Sequence, residues 1–436
     1  MSAHTSDRPI RLVVRDPALE RSRVTVFFRL LLAIPVLVWL LLRGIAAFVA
    51  AIVLWLGVLI NGEGPASLHD FVAGYLRYAT HVYSYVLLAA DPYPWFRAAH
   101  EYPVDLEIAA PTRQSRWTAG FRLFFALPAL ALATALGGSP SYGSWQVGFS
   151  SRPHEATWGW WASAGGVAAA CAFLAWFVAL VRGSTPRGLR DLIAYSLGYA
   201  AQAGGYFLLL TDRYPSSDPS LAEPYASLPE HPLQIDVHDE LERSRLTVFF
   251  RPLLALPHIL WLILWSVAVF FAVVAAWFAA LFGGRVPLAL HRFIAAYVRY
   301  TTHLGAYISL VGRRFPGFVG REGSYGIDLH IAGPERQNRW KTLFRFFLAI
   351  PAFLLSSTLD AVLLVVAFLS WWYALVTGRV PEGLRNLGAV CIRYSSQTRA
   401  YASLLTDRYP YSSPLLEPGP EPTGEQPAPS VPWDTF

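Results

Sequence analysis

Apolar residues in this chain gather into long runs. Leu30 to Leu42 and Gly44 to Ile60 are interrupted only by Arg43, and Pro252 to Gly284 contains no Asp, Glu, Lys or Arg. About 20 such residues cross the ~30 Å hydrocarbon core of a bilayer, so these runs predict membrane-embedded helices. Segments of a different period precede them. Ile10-Arg11-Leu12-Val13-Val14, Val104-Asp105-Leu106-Glu107-Ile108, Leu233-Gln234-Ile235-Asp236-Val237 and Ile327-Asp328-Leu329-His330-Ile331 alternate with period two, predicting short half-buried strands able to pair into one small sheet. After each long run a Gly-x-x-Pro turn opens a third pattern, a helix with a polar stripe. Arg77, His81 and Tyr85 fall at i, i+4 and i+8, on one face; Arg299, His303 and Tyr307 repeat this, as do Arg393, Gln397 and Tyr401. A fourth copy keeps Gln202 and Tyr206 but has Gly198 in the Arg place.

These patterns are copies of one unit. ERSRVTVFFRLLLAIP (Glu20–Pro35) returns as ERSRLTVFFRPLLALP (Glu242–Pro257), and more distantly as RQSRWTAGFRLFFALP (Arg113–Pro128) and RQNRWKTLFRFFLAIP (Arg336–Pro351). Each has an Arg six residues before a Pro: Arg29/Pro35, Arg122/Pro128, Arg251/Pro257 and Arg345/Pro351. Units one and three share Glu-Arg-Ser-Arg and a His; units two and four share an Arg-Gln opening, a Gln and the ending Thr-Asp-Arg-Tyr-Pro. The order is A-B-A-B, over residues 9–100, 101–216, 231–320 and 324–412, with a proline-rich tail, 413–436, whose composition predicts disorder.

The predicted fold is an all-α integral membrane protein with minor β: four strand–transmembrane hairpin–amphipathic helix units, giving about eight transmembrane helices. Arg43, Asp360 and the polar insertion Gly137–Thr157 fall midway along apolar runs, where a charge at the bilayer centre costs about 2.5–3.5 kcal/mol. They are read as hairpin turns in water. Arg-rich flanks (Arg21/Arg23, Arg113/Arg116, Arg243/Arg245, Arg336/Arg339, and after the runs Arg182/Arg187, Arg285/Arg292, Arg379/Arg385) put both ends of each hairpin in the cytoplasm. All units then share one orientation, with both termini and the Ser216–Pro232 linker cytoplasmic and Gly137–Thr157 outside. Inverted repeats, and a wedge that enters without crossing, are the competing topologies. The polar residues 1–23 show no signal peptide.

Composition narrows the chemistry. Hydrophobic residues make up 54% and charged ones 15%, against about 25% charged in soluble domains. The net charge of +6 comes almost wholly from arginine, Lys341 being the only lysine. These arginines flank apolar runs and form no continuous basic face, which argues against nucleic acid as a partner. Cys171 and Cys391 both lie in apolar segments, implying neither a disulfide framework nor a metal site. No P-loop, nucleophile elbow, metalloprotease helix or dinucleotide fingerprint is present, so neither an enzyme nor a cofactor is expected. The candidate binding residues are the repeated arginines (Arg29, Arg122, Arg251, Arg345) and the polar stripes Arg77/His81/Tyr85, Arg299/His303/Tyr307 and Arg393/Gln397/Tyr401. The repeated arginines are read first as anchors snorkelling to an anionic cytoplasmic leaflet, at about 1 kcal/mol each. The stripes either lie at the membrane interface or pack on the strands.

The opening R-x-x-x-x-x-F-R-x-[LF]-[LF]-A-[IL]-P and the closing G-x-x-P…[RL]-x-Y-x-x-[HQ] resemble domain-of-unknown-function family 4389, bacterial membrane proteins often carrying tandem copies. The resemblance implies a bacterial plasma-membrane location and brings no catalytic residues. The expected function is a lipid- or solute-binding or transport module working with the bilayer. The alternative is a structural scaffold that organises the membrane.

Overall fold

A computed structural model describes residues 8–15, 19–96, 102–137, 166–221, 231–237 and 239–416. The external-loop assignment beyond Gly137 and the tail beyond Leu416 lie outside the described residues.

Units one, three and four each contribute one long apolar helix and one closing helix; unit two has two shorter apolar helices before its closing helix. Unit one has β1 (Ile10–Val14), α1 (Arg23–Asn61) and α2 (Ala66–Val86). Unit two has β2 (Val104–Ile108), α3 (Arg116–Gly120), α4 (Arg122–Gly137), α5 (Gly166–Arg182) and α6 (Arg187–Phe207). Unit three has β3 (Leu233–Val237), α7 (Arg245–Gly283) and α8 (Leu288–Ile308); unit four has β4 (Ile327–Ile331), α9 (Arg339–Leu343), α10 (Arg345–Thr377) and α11 (Glu382–Ala402). All four strands coincide with the alternating segments.

Units one, three and four do not form the expected transmembrane hairpins, and the turn expected in unit two lies outside the described residues. In units one, three and four the whole apolar run is a single helix, α1, α7 or α10. Nothing in mid-run punctuates it, and the two charges read as turns find partners on a neighbouring helix. The Arg43 guanidinium lies 5.2 Å from the centre of the Tyr78 ring, and Asp360 accepts a 2.7 Å hydrogen bond from Ser395. Each long helix stops at a glycine in the left-handed region, Gly62, Gly284 or Gly378, where a side chain would be strained. The chain reverses there, so the real hairpin pairs a long helix with its closing helix. In unit two residues 138–165 separate α4 from α5, which together match α10: Trp176 of α5 donates to the Val26 carbonyl as Trp371 of α10 does to that of Val248. Three helices, α1, α7 and α10, are long and apolar enough to cross a membrane by length and composition; α4 and α5 are apolar but shorter. Eight spans are not found among the described residues.

The expectation of a shared orientation also fails. The two units of each pair run antiparallel. Glu20, before α1, bridges to Ser184, after α5, while the Gln114 amide, before α3, donates to Gly62 at the far end of α1. Glu242 with Arg379, and Arg285 with Arg336, repeat this in the second pair. Many flanking arginines are spent on such junctions. Arg23 donates to the Val181 carbonyl, Arg339 to that of Phe282, Arg21 to that of Ala89, and Arg243 to those of Leu310 and Val311. A cation closing a helix C-terminus is favourable there, so these flanks serve the fold in addition to any part they take in membrane orientation.

Three layers result. The long helices form a row, α1 beside α5, α4 and α5 beside α10, and α10 beside α7. The closing helices form the second layer, with α6 and α11 buried along most of their length. Two antiparallel ladders, rather than one four-stranded sheet, form the third: β1 pairs with β2 (Ile10 opposite Ile108) and β3 with β4 (Leu233 opposite Ile331). The long helices bury a narrow stripe against the second layer, in α1 Val26, Ala33, Val36, Leu40, Ala47, Leu54 and Val58. Phe27, Leu30, Leu41 and Phe48 of α1 are exposed, as are Phe346, Leu364 and Phe368 of α10. Isolated exposed hydrophobics are ordinary, but a continuous face of them requires a partner.

Candidate functional site

The four repeated arginines hold the folded unit together from inside. Each is 2–3% exposed, and each points at the C-terminus of its own unit's closing helix. Arg29 Nη1 donates to the carbonyls of Tyr85 (2.8 Å) and Ala90 (3.0 Å), and Nη2 to Asp91. Arg122 repeats this on Tyr206 (3.1 Å), Thr211 (2.8 Å) and Asp212 (3.0 Å), adding Gln114 at 2.7 Å. Arg345 takes Tyr401 (2.7 Å), Thr406 (2.8 Å), Gln337 and Asp407. Arg251 takes Tyr307 (2.6 Å) and Gly312 (3.0 Å), and because unit three has Arg313 where the others have Asp, its remaining bond goes to the Arg313 carbonyl. Every guanidinium also stacks over the ring of the same tyrosine, 4.3–4.6 Å from its centre.

The closing helix ends in a way that needs this staple. Leu88, Leu209, Leu310 and Leu404 all have φ of 60–66°. A left-handed leucine costs about 1–2 kcal/mol, and the last carbonyls of a helix have no partner within it. The arginine supplies donors and a positive charge at the negative end of the helix. The anchor assignment is therefore corrected: these side chains face inward and use their planar fork on protein carbonyls. Tyr85, Tyr307 and Tyr401, placed in the stripes by sequence, belong to this cluster, as Tyr206 does.

The rest of each stripe turns toward the ladders. His81 Nε2 lies 2.9 Å from Asp105 Oδ1 on β2, and His303 Nε2 2.8 Å from Asp328 Oδ1 on β4. The imidazoles stack on Tyr102 and Tyr325, with centres 4.4 and 4.9 Å apart. Arg77 and Arg299 donate to the Leu106 and Leu329 carbonyls at 2.9 Å and approach the same carboxylates. In unit four Arg393 is 1% exposed, donates to Ser413 and Leu415, and covers Tyr411; Gln397 donates to Leu233 on β3. Arg77, His81, Arg299, His303 and Gln397 thus pack on the strands, while Arg393 turns to the segment after its closing helix. Gly198 takes the Arg place because β1 passes over it, with Leu12 Cβ 3.4 Å from where a Cβ would be. His and Gln alternate because A units face a strand carboxylate while B units face backbone.

Two titratable groups here are shifted. Burial pushes Asp328 up, but the hydrogen bonds from His303 and the Leu329 and Gly323 amides outweigh it and hold the carboxyl below its usual range. His231, which opens β3, is pushed down to about 4, by burial first and then by Arg393 and Arg408. No group of three or more His, Cys, Asp or Glu that could hold a metal exists among the described residues. Sequence reasoning missed the partners: Asp105 and Asp328, Asp91, Asp212 and Asp407, and the left-handed leucines. One signal was available. Arg and Tyr stand 56 residues apart in units one, three and four, and 84 apart in unit two, whose extra length is the insertion.

Residues 23–98, 157–217, 245–319 and 339–413 each match the family described as Domain of unknown function (DUF4389). The chain belongs to this family. The DUF4389 matches in units one, three and four start at or near the long helix and end just past the closing helix, so they enclose the whole staple. In unit two the match begins after α4 and leaves Arg122 outside it. No curated protein and no solved structure matches the chain.

Proposed function

We propose that this DUF4389 protein is a lipid-embedded structural module of the bacterial plasma membrane, organising the bilayer at its cytoplasmic face rather than conducting a solute. The observation that carries this reading is the exposed apolar face running along the long helices. It contrasts with a polar interior whose conspicuous charges, Arg29, Arg122, Arg251, Arg345 and the His–Asp pairs, are engaged with one another and with backbone. A conduit requires polar groups facing a shared cavity. Cavities border the ladders instead, one of about 240 Å³ lined by Arg8, Gln202, Thr211 and Arg213, another of about 520 Å³ beside Asp239, Arg313 and Tyr325. The antiparallel A and B units favour the transport reading, because inverted repeats are common in secondary transporters.

Reconstitution separates the two. Proteoliposomes are expected to retain the protein through alkaline carbonate extraction, to change in size with protein density, and to show no protein-dependent flux of ions or small solutes. Release by carbonate would remove the membrane reading; flux with unchanged vesicle shape would establish transport.

A further inference from the structure

We propose that the row of long helices lies flat within a single leaflet, with both ladders and both ends of every long helix in the water on one side. This deepens the lipid-embedded reading and rests on it.

Length comes first. α1 and α7 have 39 residues each, about 58 Å at 1.5 Å per residue. Spanning helices tilt by up to about 40°, which still leaves about 45 Å along the membrane normal, well beyond the ~30 Å core. The exposed apolar surface runs nearly the full helix, from Val24 to Ile60 in α1 and from Leu246 to Phe282 in α7. A helix in the membrane plane buries all of it. The row is one helix thick, about 10 Å, and fits within a leaflet's ~15 Å of hydrocarbon.

The ladders are the second observation. They cross the closing helices near mid-length, at Arg77 and His81 of α2 and Arg299 and His303 of α8. On their outer faces the Arg11–Glu107 ion pair and the His330–Glu322 pair are exposed. If the bundle stood across the membrane, these charges would sit at the bilayer midplane. Laid flat, the same charges are farthest from the lipid. The polar interruptions of the long helices agree: Arg43 and Asp360 engage closing helices, and Gly137, where the polar insertion begins, abuts Ala200 of α6.

Charge and direction together are the third. Arginines mark both ends of the row, with Arg23 and Arg182 at one end of the first pair and Arg113 and Arg116 at the other. Basic flanks belong on the cytoplasmic side, yet antiparallel spanning helices would force half of them outside. Only helices lying in the plane keep all flanks on one side while running antiparallel. The surface partner is thus one leaflet of a bilayer, with its headgroups around the arginine-rich rim.

The test uses the full chain in vesicles. Cys171 and Cys391 are both 0% exposed, so introduced cysteines carry the label. Phe347→Cys, Leu364→Cys and Trp372→Cys sample the exposed face of α10; Glu107→Cys and His330→Cys sample the ladders; Arg116→Cys and Arg182→Cys sample the two ends. Nitroxides at 347, 364 and 372 are expected to read one common depth within one leaflet. Cysteines at 107, 330, 116 and 182 should all react with an impermeant maleimide from one side. A depth profile passing through the midplane from 347 to 372, or reaction of 116 and 182 from opposite sides, would establish spanning and overturn the proposal. Short distances between labels on neighbouring chains, with no lipid contact, would mean a second copy covers the face, and would overturn it equally. Aqueous exposure of every label would instead sink the embedded reading beneath it.

Discussion

Arg122→Lys is the sharpest test of the staple. The native guanidinium serves four acceptors, the Tyr206 and Thr211 carbonyls, Gln114 and Asp212, and covers the Tyr206 ring 4.3 Å from its centre. Lysine keeps the charge and can keep the ring contact, but one nitrogen lacks the planar fork that reaches both the carbonyls and the side chains. About two acceptors would lose their donor in a buried place, at about 1–3 kcal/mol each. The sum is roughly 2–6 kcal/mol, and with roughly 1–2 °C of Tm per kcal/mol for a chain of this size, unfolding should move down by about 5 °C. Tryptophan fluorescence of the purified protein in nanodiscs reads this, with Arg113→Lys as the control. Arg113 pairs with Glu63 at an exposed site, where an ion pair contributes about 0–1 kcal/mol. Lysine at position 122 melting within about 1 °C of the parent would refute the staple and restore the anchor reading.

The His–Asp pair gives a second expectation: His303→Leu strips Asp328 of its imidazole partner and, since the Leu329 and Gly323 amides remain, should cost about 1.5–3 kcal/mol, while His303→Gln, which still donates, costs less; urea unfolding with paired variants measures both. Acid should destabilise the second pair in two stages. A carboxyl held below its usual range, as in Asp328, gives stability that is present above pH ~4 and lost as pH falls through its folded value. A histidine pushed down to about 4, as in His231, loses stability from the unfolded value near 6.5 down to 4. Stability followed from pH 8 to 3 should therefore fall first near 6, and His231→Asn, which can still accept from the Leu233 amide, should reduce that first loss, leaving the part due to His291, which burial also pushes down. Gly198→Arg restores the pattern of the other units but drives a side chain into Leu12 of β1; hydrogen exchange should show β1 released from β2. Gly320→Ala places a Cβ 2.2 Å from the Ala296 carbonyl oxygen at a φ of +59°, so the segment after Phe315 should become protease-sensitive.

Much of this was legible in sequence, and the failures have a common cause. The strands appeared at their residues because period-two alternation is a local property of five residues, bounded by the chain itself. The closing helices were equally local, with Gly-x-x-Pro to start them and i, i+4, i+8 spacing to orient them. The hairpins were wrong because an apolar run states that it is buried without stating where it bends. Arg43 looked like a turn only while its partner, Tyr78, was unknown. Arg29 looked like an anchor because the carbonyls of Tyr85 and Ala90 lie 56 and 61 residues away. In each case the chemistry of the residue was read correctly and its partner was not, because the partner is set by which helices become neighbours.

The alternation of A and B units follows from that pairing. Within a pair the junction at one end joins the start of A's long helix to the end of B's, through Glu20 and Ser184; the other joins the end of A's long helix to the start of B's, through Gly62 and Gln114. The ladder likewise takes one strand from each, so neither unit completes a ladder by itself. Identical units would place the same residue under both strands. Here β2 brings Asp105 over α2 while β1 brings Leu12 over α6, and a carboxylate wants His and Arg beneath it where a leucine wants glycine. The second pair shows how far each partner fixes the other: β4 again brings an aspartate to a histidine, but α11 keeps Arg393 and turns it onto Ser413 and Leu415, leaving Gln397 to meet β3. What distinguishes A from B is thus the strand each closing helix receives from its antiparallel neighbour, and a duplication of the pair preserves that match where a duplication of a single unit would break it.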